Sequence, residues 1–328
     1  MVWVGILIIV LTAVYLWFSS IVYRFAFHSP NFQPKDPYAV PPGKQYEKVA
    51  DRMLQNISNL EAFEFEEVSI RSFDGTKLSG RIYRFFDRAP LMIQFHGYRG
   101  NALREFANGY QLAQKLGFNV LLVDQRAHGK SGGHTITFGI WERKDCKAWA
   151  WYAKSAFGEN TPILLSGVSM GAATVLMASD LPLPDNVVGI LADCPYSSPV
   201  DIILKVASDR KYPSKLVYPF LYLGARLFGR FDIKETSAVK AAANSKLPIL
   251  LIHGEDDRFV PCEMSRLIAK KCSTAKLHTF PNAGHGLSYT SDPDRYEAIC
   301  YRFLSSLPGI DEYIANNNYV CEVLQRTL

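Results

Sequence analysis

Pro162-Ile163-Leu164-Leu165-Ser166-Gly167-Val168-Ser169-Met170-Gly171-Ala172-Ala173-Thr174-Val175-Leu176-Met177 changes character half-way along. Its first residues form a short apolar run, as a buried strand requires, and its last ones suit a helix. Between them lies Gly-x-Ser-x-Gly. A serine on so tight a strand-to-helix turn occupies a strained backbone conformation. Side chains at 167 and 171 would collide with the neighbouring strand and helix. The turn lifts the Ser169 hydroxyl clear of the sheet, and the helix N-terminus behind it offers unpaired N–H groups to a developing oxyanion. Ser169 is therefore a candidate nucleophile, and the rest of the chain must supply a base, an acid and a second oxyanion donor.

The pattern around this turn is repeated. Leu91–Phe95, Asn119–Val123, Ile163–Leu165, Val187–Leu191 and Ile249–Ile252 are short and almost continuously apolar, as parallel strands covered on both faces are. Helical stretches at Asn101–Leu116, Gly139–Phe157, Met170–Leu181 and Pro261–Cys272 separate most of them. Lys276–Phe280 reads as the last strand and Asp292–Leu307 as the last helix. Phe63–Ile70 and Leu78–Phe85 flank an Asp74-Gly75 turn and read as an N-terminal hairpin. Alternating β and α units of this length predict an α/β fold with a doubly wound, mostly parallel sheet. Residues 194–246 interrupt the rhythm with some apolar helical sequence and are read as a lid insertion over a pocket.

At 328 residues, with 48 % hydrophobic and 20 % charged residues, the chain can hold one large α/β domain and an appendage. The net charge of +5 is spread without a basic cluster, which argues against a nucleic-acid partner. Six scattered cysteines without C-x-x-C spacing argue against a zinc ribbon and read as buried free thiols. Val2–Tyr23 carries no charge and is long enough to cross a ~30 Å hydrocarbon core as a helix. It lacks the basic start and small-residue cleavage site of a signal peptide, so residues 1–24 are read as a single-pass transmembrane anchor. Arg24 and Lys35 follow it and no basic residue precedes it, which favours a cytoplasmic domain. Prolines 30, 34, 37, 41 and 42 suggest that residues 25–60 form an extended linker holding the 61–307 domain off the bilayer. Residues 308–328 are a tail without a readable pattern.

Further motifs fall at strand ends, where open α/β sheets place their ligands. In His96-Gly97-Tyr98-Arg99-Gly100, the glycines allow a turn that aims the Tyr98 N–H beside that of Met170 as an oxyanion hole. His253-Gly254-Glu255-Asp256-Asp257 follows the Ile249–Ile252 strand, and Gly284-His285-Gly286 follows the last one. A serine needs a base, and the base an orienting carboxylate. Among seven histidines, His285 alone lies in a Gly-flanked loop after the final strand, and it is read as the base. Asp257 is favoured as the acid, with Asp256 adjacent and Asp193 able to reach the same space from the end of its own strand. Asp124 and Arg126, in Asp124-Gln125-Arg126-Ala127-His128-Gly129, are read as fixing a loop.

With these motifs in order, the chain resembles the α/β-hydrolase superfamily of serine esterases, lipases and peptidases from about Phe65 to Leu307. Within it, the chain looks like the membrane-anchored bacterial hydrolases of the serine aminopeptidase-like and Bem46-like branches. The resemblance implies Ser169, Asp257 and His285 as a triad and Tyr98 and Met170 as oxyanion donors, with no cofactor and no metal. A serine rather than an aspartate at the turn speaks against dehalogenase or epoxide hydrolase chemistry. The expected activity is hydrolysis of carboxylic esters, acyl or lipid-like, with peptidase chemistry on the same residues as the alternative. A non-catalytic binding protein on this scaffold would be signalled by a missing member, and all are present.

Overall fold

The short apolar runs pair into one eight-stranded sheet in the computed structural model, which describes residues 1–29, 40, 43–107 and 109–316. The chain opens with a long helix α1 (Val2–Ala26), a single turn α2 (Lys44–Glu47) and α3 (Ala50–Glu61). The hairpin β1 (Glu66–Arg71) and β2 (Lys77–Tyr83) follows, then β3 (Leu91–Phe95). Helices α4 (Ala102–Ala107) and α5 (Tyr110–Lys115) lead to β4 (Asn119–Asp124), and α6 (Glu142–Phe157) leads to β5 (Ile163–Val168). Helix α7 (Met170–Ala178) and strand β6 (Val187–Asp193) precede three helices, α8 (Pro199–Asp209), α9 (Ser214–Leu227) and α10 (Ala238–Asn244). The chain continues through β7 (Ile249–Gly254), α11 (Cys262–Lys271), β8 (Ala275–Phe280), α12 (Ser288–Ser291), α13 (Pro293–Leu304) and α14 (Ile310–Asn316).

Strand order is β1-β2-β4-β3-β5-β6-β7-β8, with β1 and β2 antiparallel and β3 to β8 mutually parallel. Every residue of β3 and β7 is buried, as strands covered on both faces must be. Side chains alternate between the two faces. Leu91, Ile93 and Phe95 join the core beneath α6, α7 and α10, while Met92, Val120 and Leu122 join the core beneath α4, α5 and α13. The chain leaves β3 towards β4 on one side and β5 towards β6 on the other, so the order reverses between the ends of β3 and β5, the place where open α/β sheets bind their ligands.

Two readings of the sequence differ from the structure. The 194–246 stretch is not a single lid, because α10 packs on α7 and α11 as a crossover helix covering the sheet. Helix α9 packs along α1, so its apolar residues have a partner outside the pocket. Residue 25 does not begin a linker: α1 continues to Ala26, Phe27 is fully buried edge-on against Phe138 and Phe231, and the Ser29 N–H bonds the His134 carbonyl. The helix thus enters the domain directly. Prolines 30, 34, 37, 41 and 42 lie outside the described residues, as do Cys321 and residues 317–328. The five described cysteines are buried and unpaired. The Arg126 guanidinium is buried and doubly bonded to Asp145 at 2.6 Å, with Asp74 at 3.0 Å, and so ties the loop after β4 to α6 and the hairpin.

Candidate active site

Ser169 sits between the last residue of β5 and the first of α7 with φ 55° and ψ −115°, a left-handed backbone that costs a serine on the order of 1–3 kcal/mol. The surroundings enforce it. The Ser169 N–H donates to the Asp193 carbonyl at 2.9 Å, and its own carbonyl accepts from the Ala173 N–H at 2.9 Å. A Cβ at Gly167 would come within 2.7 Å of the Ala172 nitrogen, and one at Gly171 would run into the Phe95 carbonyl. Both glycines are there because backbone occupies the space a side chain would need.

His285 reaches this serine from the loop after β8, where Gly286 takes φ 66°. Its Nε2 lies 3.0 Å from Ser169 Oγ and its Nδ1 2.6 Å from Asp257 Oδ2. Burial alone would raise the Asp257 carboxyl, but hydrogen bonds from His253 and His285 outweigh it and hold it well below the usual carboxylate range. An ionised carboxylate can only accept, so Nδ1 of His285 carries the ring proton and Nε2 accepts from the Ser169 hydroxyl. Asp257 Oδ1 is fixed by the N–H groups of Phe259 at 2.9 Å and Val260 at 2.8 Å. Neither alternative acid bonds His285: Asp256 is exposed, and the carboxylate of buried Asp193 accepts from Tyr296 Oη at 3.1 Å instead.

The loop after β3 lies against this group, with the Cβ position of Gly97 3.4 Å from Ser169 Cβ. Glu105 Oε2 accepts the Gly97 N–H at 2.5 Å, and His128 Nε2 accepts the Arg99 N–H at 3.0 Å. His96 holds the base of the loop through the Gln125 N–H at 3.0 Å. Among the described residues, the backbone N–H groups of Tyr98 and Met170 have no hydrogen-bond partner. Two residues that sequence reading missed also reach the site. Tyr46 Oη donates to the His285 carbonyl at 2.9 Å, and Glu105 comes from α4. No local signal marks either, because each acts from a separate element. Cys194, Asp257 and His285 bring ligand atoms within 4.8 Å of one another. Burial keeps the Cys194 thiol protonated, and the other two bond each other, so this set suits a hydrogen-bond chain better than a cation.

Residues 95–299 match the alpha/beta hydrolase family. The chain belongs to that family. It is 29% identical to the uncharacterized protein YqkD of Bacillus subtilis over 223 residues, covering 67% of this chain and 73% of that one. It is 24% identical to protein bem46 of Schizosaccharomyces pombe over 228 residues, covering 68% and 71%. The solved esterase Pf2001 of Pyrococcus furiosus matches with a TM-score of 0.61 at 27% identity, covering 77% of this chain and 96% of that chain. This hydrolase therefore has the expected mostly parallel fold and is similar to the Bem46-like branch, and its N-terminal helix is a candidate membrane span.

Proposed function

We propose that this alpha/beta hydrolase is a serine hydrolase of carboxylic esters, acyl or lipid-like, working through an acyl-enzyme on Ser169. The observation that carries the reading is the unbroken chain Ser169 Oγ, His285, Asp257, at 3.0 and 2.6 Å. Ser169 Oγ attacks the ester carbonyl while His285 Nε2 takes its proton. The carbonyl electrons pass to oxygen, which the Tyr98 and Met170 N–H groups receive. The ionised Asp257 stabilises the imidazolium. Collapse expels the alcohol, which leaves with the His285 proton. Water then attacks the acyl-enzyme, giving its proton to His285, and the carboxylic acid departs as Ser169 recovers its own. The chemistry calls for no cofactor or metal.

Esters are favoured over amides by the esterase neighbour, and the apolar wall beside the site, where the Tyr98 ring stacks on Phe138 at 4.8 Å, suits an acyl or lipid-like group. We further infer that α1 is retained as a membrane anchor rather than cleaved. Phe27 belongs to the core, and Arg99, beside the candidate oxyanion hole, donates to the carbonyls of Phe25 at 3.0 Å and His28 at 3.3 Å. Upstream, Tyr15 Oη donates to the Pro219 carbonyl at 3.1 Å and Ser19 is fully buried, and cleavage inside the helix would strip these contacts. The mechanism is tested with a fluorescent fluorophosphonate, which should label wild type and not Ser169→Ala. Equal labelling of a folded Ser169→Ala protein would overturn it. Hydrolysis of aminoacyl amides without hydrolysis of p-nitrophenyl esters would overturn the substrate class.

A further inference from the structure

The turn after β3 has a shape its own sequence does not favour. The Gly100 N–H closes it on the Gly97 carbonyl at 3.1 Å, and its third residue, Arg99, is left-handed at φ 49°. Such turns ordinarily place glycine there. Two buried histidines supply the missing support. His96 Nε2 accepts the Gln125 N–H at 3.0 Å, so the ring proton is on Nδ1, which donates to the Gly97 carbonyl at 2.8 Å. His128 Nδ1 donates to the Arg126 carbonyl at 2.8 Å, and its Nε2 accepts the Arg99 N–H at 3.0 Å. Burial keeps the His128 ring neutral, so that lone pair is always available. The two rings meet edge to face at 4.7 Å.

These bonds act on two consecutive peptide groups. In a trans peptide the carbonyl and the N–H point in opposite directions. The Gly97 carbonyl shares its peptide with the Tyr98 N–H, so the donors that hold the carbonyl turn that N–H to the opposite side. The next peptide carries the Tyr98 carbonyl and the Arg99 N–H. Were it to turn over, the carbonyl oxygen would face the lone pair on His128 Nε2, and the two would repel. With the Gly97 N–H held by Glu105 and the Arg99 N–H by His128, the Tyr98 N–H between them has no partner among the described residues. Gln125 also accepts from Thr174 Oγ1 at 3.2 Å, which ties this assembly to α7, the helix that opens on Met170. We propose that His96 and His128 are positioning residues of the oxyanion hole, His96 aiming the peptide that carries the Tyr98 N–H and His128 keeping the following peptide from turning over. The proposal rests on the reading of Ser169 as nucleophile and Tyr98 as oxyanion donor, and it gives the loop that Arg126 fixes a part in the chemistry.

The test exploits the different reach of two amides. An asparagine side chain ends where Nδ1 of a histidine stands, and a glutamine side chain where Nε2 stands. The bond that matters at 96 leaves from Nδ1, and the one at 128 is accepted at Nε2. In the full chain in detergent, His96→Asn and His128→Gln should therefore keep p-nitrophenyl ester turnover within about threefold, while His96→Gln and His128→Asn should lose about 10–100-fold in kcat with little change in KM. The second readout is a trifluoromethyl ketone. Ser169 Oγ bonds its carbonyl carbon, the carbonyl electrons pass to oxygen, and His285 takes the serine proton. Its inhibition constant should rise in step with the loss of turnover, while a non-hydrolysable ether analogue of the ester binds all variants equally. The same order of tolerance at both positions, or turnover that follows melting temperature, would overturn the positioning roles. So would a folded His96→Asn or His128→Gln protein that loses tenfold or more in ketone affinity, a result that can be read even if the other two variants do not fold. Failure of the ketone to inhibit wild type would instead overturn the underlying reading of Ser169 and the oxyanion hole.

Discussion

Asp193 should make this protein less stable as the pH rises, and Asp193→Asn should remove that loss. The carboxyl is buried at the end of β6, with Oδ2 accepting from Tyr296 Oη at 3.1 Å and Oδ1 without a partner among the described residues. Burial raises it to about 6, against the pull of His253 and the Tyr296 hydroxyl. In the unfolded chain the same carboxyl releases its proton near its ordinary value of about 4. The folded state therefore binds the proton more tightly, and stability falls as pH rises between those two values. A difference of about two pKa units corresponds to about 3 kcal/mol, absent below about pH 4 and fully developed above about pH 7. The asparagine side chain has the same shape, can still accept from Tyr296, and cannot ionise. At roughly 2 °C per kcal/mol for a chain of this size, the variant should melt about 6 °C above wild type at pH 8 and level with it at pH 4. Scanning fluorimetry of both proteins in one detergent, at one scan rate, measures this. The difference between the curves is diagnostic, since burial also raises Asp145 to about 6 and gives both proteins a slope of the same sign. A difference that does not change with pH would refute the reasoning. So would a variant that is less stable at pH 8, which would mean that ionised Asp193 is held favourably by the histidines.

Asp257→Asn keeps the shape of the acid but cannot hold His285 in the tautomer that accepts from Ser169, so ester turnover should fall by on the order of 10³–10⁴ with little change in KM. Near-normal turnover in a steady-state assay would show that another carboxylate orients the base. A Cβ at Gly224 would stand 2.7 Å from the Ser19 carbonyl oxygen, so Gly224→Leu should push α9 away from α1 and destabilise the protein by about 1–3 kcal/mol. Limited proteolysis between α8 and α10 should become faster, and an unchanged digestion rate would contradict the packing of α1 on α9.

What could be read from the sequence was what local chemistry determines. The parallel strands announce themselves because burial on both faces demands continuous apolar runs, and the turn at Ser169 because only glycine fits against the Phe95 carbonyl and the Ala172 nitrogen. That Asp257, rather than Asp256 or Asp193, is the carboxylate bonded to His285 needed three dimensions, since all three stand at strand ends and Asp193 is as buried as Asp257. The pairing of α1 with α9 could not be read at all. An apolar helix without a polar face carries no periodicity to say which side meets protein, and the run at 216–223 looks the same whether it covers a pocket or another helix. Nor could the direct entry of α1 into the domain be read. Prolines at 30 to 42 suggest a spacer, yet Phe27 is anchored before the first of them. Helix α1 is for that reason part of the hydrolase domain's wall. Arg99 and Tyr98 bond the carbonyls at its last turn, so a displacement of α1 would be felt at the Tyr98 N–H, to which the proposed mechanism gives the reacting oxygen.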